Sequence, residues 1–393
     1  MVRMIIYLLI VLIVFGSCEL LKPKKWYKGN LHTHSLWSDG NDFPEMIMDW
    51  YKSNGYHFVA LSDHNIIPEQ GRWLNVHDEG IFYAYENYKK RFEKFVEERM
   101  VNDTLQVRLK PKSEYVNQFN KPGRFLIISS EEISDYFENS PIHLNATNIQ
   151  DYIKPQGGVS VADVMQNNID AVLAQRDSLN VPVMPHLNHP NYKWAVTTDD
   201  IISLEGEKFF EIYNGHPYVN NEGDYTHPSV EQMWDIVLTE RIRQDKDIMY
   251  GLATDDSHHY HSMQQGRANP GRGWIYVKAE ALEAGALINA MEQGDFYASS
   301  GVKVADYEST DSEYSVEIKG IYSEDHIIEF IGTLKGAEKV GTILQSTKAS
   351  KATYQFSGDE LYVRVRITSP VLKHNPNYEG EFERAWLQPV VIK

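Results

Sequence analysis

Histidines and carboxylates, the side chains that ligate divalent metals, recur in five short stretches of this sequence. The stretches are His32-Thr33-His34 with Ser38-Asp39-Gly40, Asp63-His64, Glu131-Glu132 with His143, His186-Leu187-Asn188-His189, and Asp255-Asp256-Ser257-His258. In an extended segment, residues two apart share a face, so His32 and His34 can bind one ion together. The same spacing relates Asp256 and His258. A lone His-x-His pair is weak support, but five such stretches in one chain predict a metal site.

The ligand types indicate what chemistry such a site would perform. Imidazole and carboxylate without thiolate suit Zn, Mn or Fe(II), and the sequence does not choose among these metals. Metals that share a carboxylate can lower the pKa of a bound water and present hydroxide as a nucleophile. A site kept only for folding is the alternative, but structural zinc sites are usually closed and rich in cysteine, and Cys18 is the one cysteine of the chain. We therefore expect a hydrolase.

The five stretches follow predicted strands. The predicted strands cover 57–62, 125–129, 181–185, 209–213 and 248–253, and the predicted helices begin near Pro44 and cover 161–178, 229–239 and 280–293. Strands that alternate with helices predict a parallel α/β architecture, with a barrel-like arrangement. Barrels build their active sites from the carboxyl ends of successive strands, which is where these ligands stand.

Two regions depart from this alternation. Residues 81–100 show a charged helical pattern with one apolar face, made of Ile81, Tyr85, Tyr88, Phe92 and Phe95. Residues of about 66–124 are therefore expected to be a helical insertion, either a lid over the site or a packed ornament. From residue 301 onward apolar residues alternate with a period of two, which predicts an antiparallel β-sandwich over 301–393.

Taken in order, the motifs resemble those of the PHP (polymerase and histidinol phosphatase) family of metal-dependent phosphoesterases, over residues 29–300. The resemblance is carried by His32-Thr33-His34 with Ser38-Asp39-Gly40, Asp63-His64, Glu132 with His143, His189-Pro190, and Asp256-Ser257-His258. It implies a distorted (β/α)7 barrel of the TIM-like type. It also implies hydrolysis of a phosphomonoester or phosphodiester by a metal-bound hydroxide.

The same resemblance implies how two or three divalent ions would be held. His32, His34, Glu132 and Asp256 would hold the first ion, Glu132, His143 and His189 the second, and Asp39, His64 and His258 the third. The residues expected to act in catalysis are His32, His34, Glu132, Asp256, His186 and Arg272.

Neighbouring residues leave several of these assignments open. Glu131 is an alternative to Glu132, Asp255 to Asp256, and His186 to His189, with His186 otherwise expected to support the ligands or transfer protons. A bidentate contact to phosphate is possible for Arg272, and less so for Arg267, with surface ion pairs as the alternative. The histidines expected at the rim or in solvent are His216, His227, His259 and His261, of which the last two are weak candidates for a general acid.

The charge balance limits the classes of molecule that the protein is expected to bind. The chain has 393 residues, with 38 Lys and Arg against 55 Asp and Glu, and a net charge of −17. Binding along a nucleic acid needs clustered basic residues, so no long nucleic-acid groove is expected. A small phosphorylated substrate remains compatible, provided that bound metals reverse the field locally.

The N-terminus resembles an export signal. A basic start, an apolar run over residues 4–15 and small residues before Cys18 are typical of a signal peptide, and the run is short for a membrane span. The segment Phe15-Gly16-Ser17-Cys18 resembles a bacterial lipoprotein cleavage box. We therefore expect a signal peptide at 1–17, a lipid anchor on Cys18, a tether at 18–28 and a periplasmic or cell-surface location. Secretion without an anchor and a transmembrane anchor are the alternatives.

Three other functions are compatible with the sequence. The same metal cluster could hydrolyse an amide or a carboxylic ester, since barrels change substrate through their loops. The β-sandwich, with Trp386 and several tyrosines, could bind glycans while the barrel is secondary. A nuclease role is disfavoured by the acidic composition and the export signal.

Overall fold

The computed structural model describes residues 23–392, so the expected signal peptide and the expected lipidation site at Cys18 lie outside the described residues. The strands are β1 Lys25–Asn30, β2 Phe58–Leu61, β3 Arg72–Asn75, β4 Glu98–Val101, β5 Thr104–Leu109, β6 Leu126–Phe137, β7 Ser140–Thr147, β8 Met184–Leu187, β9 Phe209–Asn214, β10 Tyr250–Thr254, β11 Trp274–Ala279, β12 Phe296–Ser299, β13 Val304–Ser309, β14 Glu313–Ile318, β15 Ile327–Leu334, β16 Thr342–Lys348, β17 Lys351–Gln355, β18 Glu360–Leu372 and β19 Phe382–Val391. The helices are α1 Pro44–Ser53, α2 Ile81–Phe92, α3 Lys112–Phe119, α4 Val161–Leu179, α5 Thr198–Ser203, α6 Val230–Arg243 and α7 Ala284–Glu292. None of the helices within 23–392 combines the length and hydrophobicity that a membrane span requires.

A large mixed sheet carries the candidate site, and it confirms the predicted α/β class. Its first seven strands run in the order β10-β9-β8-β7-β6-β2-β1. Strand β2 pairs in parallel with both β1 and β6, and β9 pairs in parallel with both β8 and β10. Strand β7, which lies between these two groups, is antiparallel to β6 and to β8. The two ends of this row meet at one parallel bridge between Thr33 and Ser257. A closed barrel is therefore not confirmed within the described part of the chain.

Several helices and strands form close to where the hydrophobic pattern predicts them, whereas β7, which carries His143, falls outside the predicted strands. Strand β2 is buried along its whole length, as expected for a strand covered on both faces. Helix α1 starts with Pro44 at its first turn and buries Ile47 and Tyr51. Helix α6 begins with a capping box, in which Ser229 and Gln232 bond to each other's backbone N–H groups. These elements hold the strand ends that carry the candidate ligands.

The insertion at about 66–124 is not purely helical, which corrects the prediction. It contains α2 and α3 together with a separate antiparallel sheet in the order β3-β5-β4. The helical pattern expected over 81–100 ends at Phe92, and residues from Glu98 onward form a strand instead. Asn102 and Asp103 both have positive φ, at 47° and 61°, which is the backbone of a tight hairpin turn. This turn connects β4 to β5, which pair antiparallel.

The C-terminal strands are antiparallel, as predicted, but they are continuous with the large sheet. Strand β19 pairs with β12, and β18, β15 and β16 extend the sheet beyond it. A separate sheet of β13, β14 and β17 faces these strands across a core that includes Val316, Phe330 and Val365. The boundary expected at residue 301 stays a prediction. Trp386, on which the glycan-binding alternative partly depended, is buried and packs against Tyr213.

Candidate metal centre

The ends of β1 and β10 bring the first and last motifs together. The backbone N–H of His34 donates to the carbonyl of Ser257 at 3.0 Å, and the N–H of Asp256 donates to the carbonyl of His32 at 3.1 Å. Asp256 has a positive φ of 47°, a conformation that costs energy for a residue other than glycine and is concentrated at functional sites. Extended pairing thus aligns the two motifs side by side, with their imidazoles and carboxylate facing one cavity.

Glu132 of β6 lies at the middle of the cluster. Its carboxylate is fully buried, and His64 is held beside it by a bridge between the two backbones. The separations from the Glu132 oxygens are 3.4 Å to His32 Nε2, 3.3 Å to His34 Nε2, 2.8 Å to His64 Nδ1, 2.9 Å to His143 Nδ1 and 3.5 Å to His189 Nε2. Five imidazoles that come from four different segments therefore converge on one carboxylate.

Asp256 is the second carboxylate that several imidazoles share. Its Oδ1 lies 3.3 Å from His32 Nε2 and 3.3 Å from His34 Nε2. His189 offers a ring nitrogen near His32 and Asp256, so that these three residues also form a possible ligand group. Asp256 and Glu132 thus both lie within 3.4 Å of the same two imidazole nitrogens.

Asp39 marks a third group at the open side of the cluster. Its carboxylate oxygens lie 3.4 Å from His64 Nε2, 3.3 Å from His258 Nε2 and 3.5 Å from His34 Nδ1. His34 and His258 stack with their ring centres 4.0 Å apart. Asp39 is the most exposed member, with 56% of its side chain accessible. This group is the part of the cluster that solvent and a substrate can reach.

The spacing of the buried atoms fits divalent metal ions. In a tetrahedral site with metal–ligand bonds of about 2.1 Å, neighbouring ligand atoms lie roughly 3.4 Å apart. The five separations from His32, His34 and His189 to the two shared carboxylates are 3.3–3.5 Å. Three buried atoms of the same cluster, His32 Nε2, His34 Nε2 and Glu132 Oε2, have no hydrogen-bond partner within the described chain. Buried polar atoms need partners, and a cation between them would supply one.

The electrostatics leave the carboxylates charged and one imidazole neutral. Burial alone would raise the pKa of Glu132, but nearby imidazoles, His64 first among them, hold that pKa well below its usual value. His32 acts in the same way on the buried Asp256. Burial and the neighbouring imidazoles lower the pKa of His34 to about 3. Against the lowering effect of burial, the neighbouring carboxylates raise the pKa of His32, and that of His64 to about 11, so a bound cation would have to displace protons from these two rings.

Glu211 is an important residue of the site that the sequence analysis missed. It is fully buried on β9, and its Oε1 lies 2.7 Å from His32 Nδ1. Its carboxylate also accepts hydrogen bonds from Thr254 Oγ1, the His189 backbone N–H and Asn214 Nδ2 at 2.7–2.8 Å. A carboxylate on the far nitrogen of a metal-binding histidine fixes its tautomer and orientation. A single Glu inside an otherwise apolar strand was the signal that could have revealed it.

The structure resolves which neighbours of the candidate ligands face the cluster. Glu131 points away from Glu132 and accepts a hydrogen bond from the backbone N–H of Ile153. Asp255 points away from Asp256 and accepts from Tyr51 Oη and from the backbone N–H of Arg272. Alternation along an extended chain places successive side chains on opposite faces.

His186 lies behind the cluster. It is fully buried, and its Nε2 stands 3.6 Å from Glu211 Oε1, on the side away from the cavity. Neither of its ring nitrogens has a hydrogen-bond partner within residues 23–392. Its place is therefore beside the carboxylate that orients His32, and the cavity is not lined by it.

The structure does not support the phosphate contact expected of Arg272. Its guanidinium is buried away from the cluster and donates to the carbonyls of Gly215, Gln264 and Asn375, among other acceptors. All three of its nitrogens are occupied by the protein itself, so no fork is free for a substrate. Arg272 instead ties the loop after β18 to the loop after β10. Arg267, the weaker candidate, is exposed and accepts from Arg272 through its carbonyl.

A cavity of about 100 Å³ opens over the cluster. Its lining consists of Asp39, His64, Glu132, His143, His189, Tyr192, His216, Asp256 and His258. Tyr192 and His216 are the lining residues outside the predicted ligand set, and no Lys or Arg of the described chain lines the cavity. His216 Nδ1 accepts from the backbone N–H of Tyr218 at 3.2 Å, so the neutral ring carries its proton on Nε2.

The other histidines lie outside the cavity. His227 stacks on Trp194 with ring centres 4.1 Å apart. His259 Nδ1 accepts from the backbone N–H of Ala268, and His261 Nε2 lies 2.8 Å from the carbonyl of Asn41. The sequence analysis placed these histidines at the rim or in solvent, and the structure brings none of the three into the lining.

Comparison with known proteins gives similarities of fold only. No family model matches the chain, and no curated protein matches it. Among solved structures, the chain is similar to a two-domain protein from Bacteroides vulgatus that contains a predicted PHP-like metal-dependent phosphoesterase. The identity is 13%, the TM-score is 0.41, and the match covers 93% of this chain and 95% of the other.

Two further solved structures match a smaller part. One is a proposed metal-dependent phosphoesterase from Bifidobacterium adolescentis, at 12% identity and TM-score 0.31, with 62% of this chain and 89% of the other covered. The second is an amidohydrolase from Chromobacterium violaceum with bound sulfate and no metal, at 13% identity and TM-score 0.31, with 59% and 88% covered.

Proposed function

We propose that this chain is a metal-dependent hydrolase that cleaves phosphate esters. The observation that carries the proposal is the convergence of six imidazoles and three carboxylates in one cluster, and the separations between its buried members suit divalent ions. The candidate ligands lie on or after six of the seven strands of the row, namely β1, β2, β6, β7, β8 and β10. A site needed only for folding would not require an open side, whereas the Asp39 group borders the cavity.

The proposed ligands are those expected from the motifs. They are His32, His34, Glu132 and Asp256 for a first ion, Glu132, His143 and His189 for a second, and Asp39, His64 and His258 for a third. When bound, such ions supply Lewis acidity, which activates water at neutral pH and offsets the negative charge of a phosphate group. The proposal is therefore for two or three divalent ions of Zn, Mn or Fe.

The chain's own residues would orient the substrate. The Nε2–H of His216 can donate a hydrogen bond to a substrate oxygen without a change of protonation, because Tyr218 occupies the other ring nitrogen. The Tyr192 ring lies beside His189, with centres 5.2 Å apart, and offers a face for the alcohol part of the ester. Glu211 holds His32 in the orientation that turns Nε2 to the cluster.

An amide or carboxylic ester is the second candidate substrate. The specific observation in its favour is that no cationic side chain of the described chain lines the cavity. A phosphate dianion would then be neutralised by the metals alone, whereas a neutral amide needs no such compensation. A phosphodiester carries one negative charge, so the compensation that it needs lies between that of a phosphate dianion and that of a neutral amide.

Two finer features of the sequence analysis enter the proposal. A distorted seven-stranded barrel is supported by the bridge between Thr33 and Ser257, which joins the two ends of the strand row. Export and lipid anchoring through Cys18 are supported by the pattern of the first 18 residues.

Metal analysis combined with activity profiling tests the proposal. Protein reconstituted with Zn, Mn or Fe(II) is assayed against an aryl phosphomonoester, an aryl phosphodiester, an aryl ester and an anilide, while bound metal is measured by elemental analysis. We expect near-stoichiometric metal and hydrolysis of one of the phosphate substrates. The His34→Ala variant should lose metal and at least about 100-fold in activity, because His34 faces both shared carboxylates.

His227→Ala is the matched control, since His227 is half exposed and stacks on Trp194 outside the cavity. It should keep both metal and activity. Hydrolysis of the anilide or the aryl ester alone would favour the second candidate. Metal-loaded protein that hydrolyses none of the four substrates would contradict the enzyme proposal.

A further inference from the structure

We propose that the chain has a second small-molecule site, on the outer side of β1 and β11, for a small organic anion with a ring-shaped body. The site is a cavity of about 300 Å³, which lies within the size range of ligand pockets. Its walls include Lys28, Trp50, Tyr56, Met263, Trp274 and Lys373. It shares no lining residue with the cavity over the metal cluster.

The ammonium group of Lys28 is the anchor of the proposed site. Its Nζ lies 3.7 Å from the centre of the Tyr56 ring and 4.0 Å from the centre of the Trp274 ring. Among residues 23–392 it has no carboxylate within ion-pair distance and no hydrogen-bond acceptor. The rings stabilise the charge through cation–π interactions, and the ammonium hydrogens are not engaged by any acceptor of the described chain. An anion in the cavity would accept hydrogen bonds from the Lys28 ammonium group.

Burial adds to the demand for an anion. It lowers the pKa of Lys28 to about 8, with a partial opposing effect from Asp255 and a further lowering by Lys303. The side chain is thus still charged at neutral pH, in a place that solvates it poorly. A charged group that is removed from water gains from a partner of opposite charge.

The charge around the cavity favours an anion within an acidic protein. Lys373 also lines it, although its Nζ is already bonded to Glu381 and to the carbonyl of Arg272. Glu383 is the acidic residue of the lining. Burial raises the pKa of Glu383, against a lowering by Lys373. With Lys373 paired to Glu381, Lys28 is the cation of the lining that forms no ion pair within the described chain, in a protein that carries −17 as a whole.

The aromatic walls indicate the shape of the ligand. Trp50, Tyr56 and Trp274 offer faces and edges to a flat or ring-shaped body. Gly271 has a φ of 84°, and a Cβ there would lie 3.1 Å from the Trp50 ring, so glycine keeps this wall in place. The Tyr56 hydroxyl is buried without a hydrogen-bond partner in the described chain. An aromatic carboxylate and a sugar acid both satisfy this description.

Ligand titration of the full-length protein tests the proposal. Benzoate and glucuronate are the charged probes, and benzyl alcohol and glucose are their neutral counterparts. Binding is followed by tryptophan fluorescence, because Trp50 and Trp274 line the cavity. We expect saturable binding of at least one charged probe and at least about tenfold weaker binding of its neutral counterpart, which corresponds to about 1.4 kcal/mol.

Three variants locate the site. Lys28→Met should weaken binding of the charged probe at least about tenfold, whereas Lys303→Met, a nearby lysine outside the lining, should leave it within about twofold. Asp256→Asn should also leave it within about twofold, since Asp256 belongs to the metal cavity. Failure of both charged probes to saturate would overturn the proposal, and so would binding lost in Asp256→Asn but kept in Lys28→Met. The comparison with neutral probes holds even if Lys28→Met does not fold.

Discussion

Glu211 shows how one buried side chain can control a metal ligand without touching the cavity. Its carboxylate accepts from His32 Nδ1 and from the backbone N–H of His189, so it orients ligands from two different motifs. It also binds Thr254 and Asn214, which stand next to the strand ends. Burial of an acidic group is unfavourable unless it is fully hydrogen-bonded, and here four donors satisfy it.

Replacement of Glu211 by Gln should therefore weaken metal binding while the ligands remain. The amide keeps one acceptor, but it removes the negative charge and turns a donor toward groups that also donate. We expect the affinity for the metal to fall about 10–100-fold, measured by competition with a chromogenic chelator. Glu280→Gln, at an exposed glutamate, is the control. Equal affinity in the Glu211→Gln variant and the wild type would refute the orienting role.

Glu207 is a buried carboxyl whose ionisation should oppose folding. Its Oε1 accepts from the backbone N–H groups of Lys208 and Phe209, but Oε2 has no partner within the described residues. Burial raises the pKa of Glu207 to about 8, against a partial lowering by these hydrogen bonds. A raised pKa means that the protonated form stabilises the fold below about pH 4.5, and that this contribution is lost as the pH rises toward 8.

Glu207→Gln should remove that loss. We expect the variant to gain stability relative to the wild type between pH 5 and pH 8.5, by about 1–3 kcal/mol. Urea denaturation at both pH values measures the gain, with Glu338→Gln at an exposed position as the control. A difference that stays the same at the two pH values would contradict the prediction.

At the scale of elements, α1 and the ends of β1 and β10 form one unit through Tyr51. The Tyr51 hydroxyl is buried and lies 2.8 Å from Asp255 Oδ2, 3.0 Å from Asn30 Nδ2 and 3.0 Å from Ser257 Oγ. These partners flank the two motifs that carry His32 and Asp256. Within the described residues, one backbone bridge joins the ends of β1 and β10. Helix α1 adds the contacts of Tyr51 to this junction.

Tyr51→Phe should destabilise this junction. The change removes one hydroxyl and leaves the buried Asp255 with one donor fewer, at a cost of about 1–3 kcal/mol. Urea denaturation of metal-free protein measures this cost without a contribution from bound ions. Tyr225→Phe is the matched control, because Tyr225 is fully exposed. An unchanged unfolding midpoint in Tyr51→Phe would show that the hydroxyl does not hold the junction.

At the scale of the whole molecule, a buried ion pair links the N-terminal strands and helices to the C-terminal strands. Arg364 on β18 donates from Nε and Nη2 to the two oxygens of Asp235 on α6, both at 2.7 Å. Tyr362 Oη donates to the same carboxylate at 2.7 Å. With β19 paired to β12, this contact makes the C-terminal strands part of the scaffold behind the site.

Arg364→Met should be far more destabilising than the loss of a surface pair. It leaves the Asp235 carboxylate buried without its counter-ion, at an expected cost of about 3–5 kcal/mol in urea denaturation. Lys351→Met breaks the exposed pair with Glu317 and should cost less than about 1 kcal/mol. The double variant Asp235→Leu with Arg364→Met should recover part of the loss. Equal costs for the two single variants would show that the buried pair does not stabilise the junction.

The sequence by itself determined the kinds of ligand and their order, and it placed His32, His64 and Asp256 just after strands, whereas Glu132 and His143 lie within β6 and β7. Alternation of strands and helices was enough for the α/β class, since hydrophobic periodicity depends on local residues. The spacing of His32 and His34 already placed them on one face. It did not distinguish Glu131 from Glu132 or Asp255 from Asp256, because alternation says that neighbours diverge but not which of them faces inward.

Only the tertiary structure decided the contacts between distant segments. Glu211 became a site residue because β9 lies against the ends of β8 and β10, and nothing near it in sequence indicates His32 as its partner. Arg272 is close in sequence to the last motif, yet its guanidinium donates to the carbonyl of Asn375, in the loop after β18 and about a hundred residues away. Sheet continuity through β12 and β19 was equally invisible, because pairing between strands depends on hydrogen bonds that no local pattern encodes.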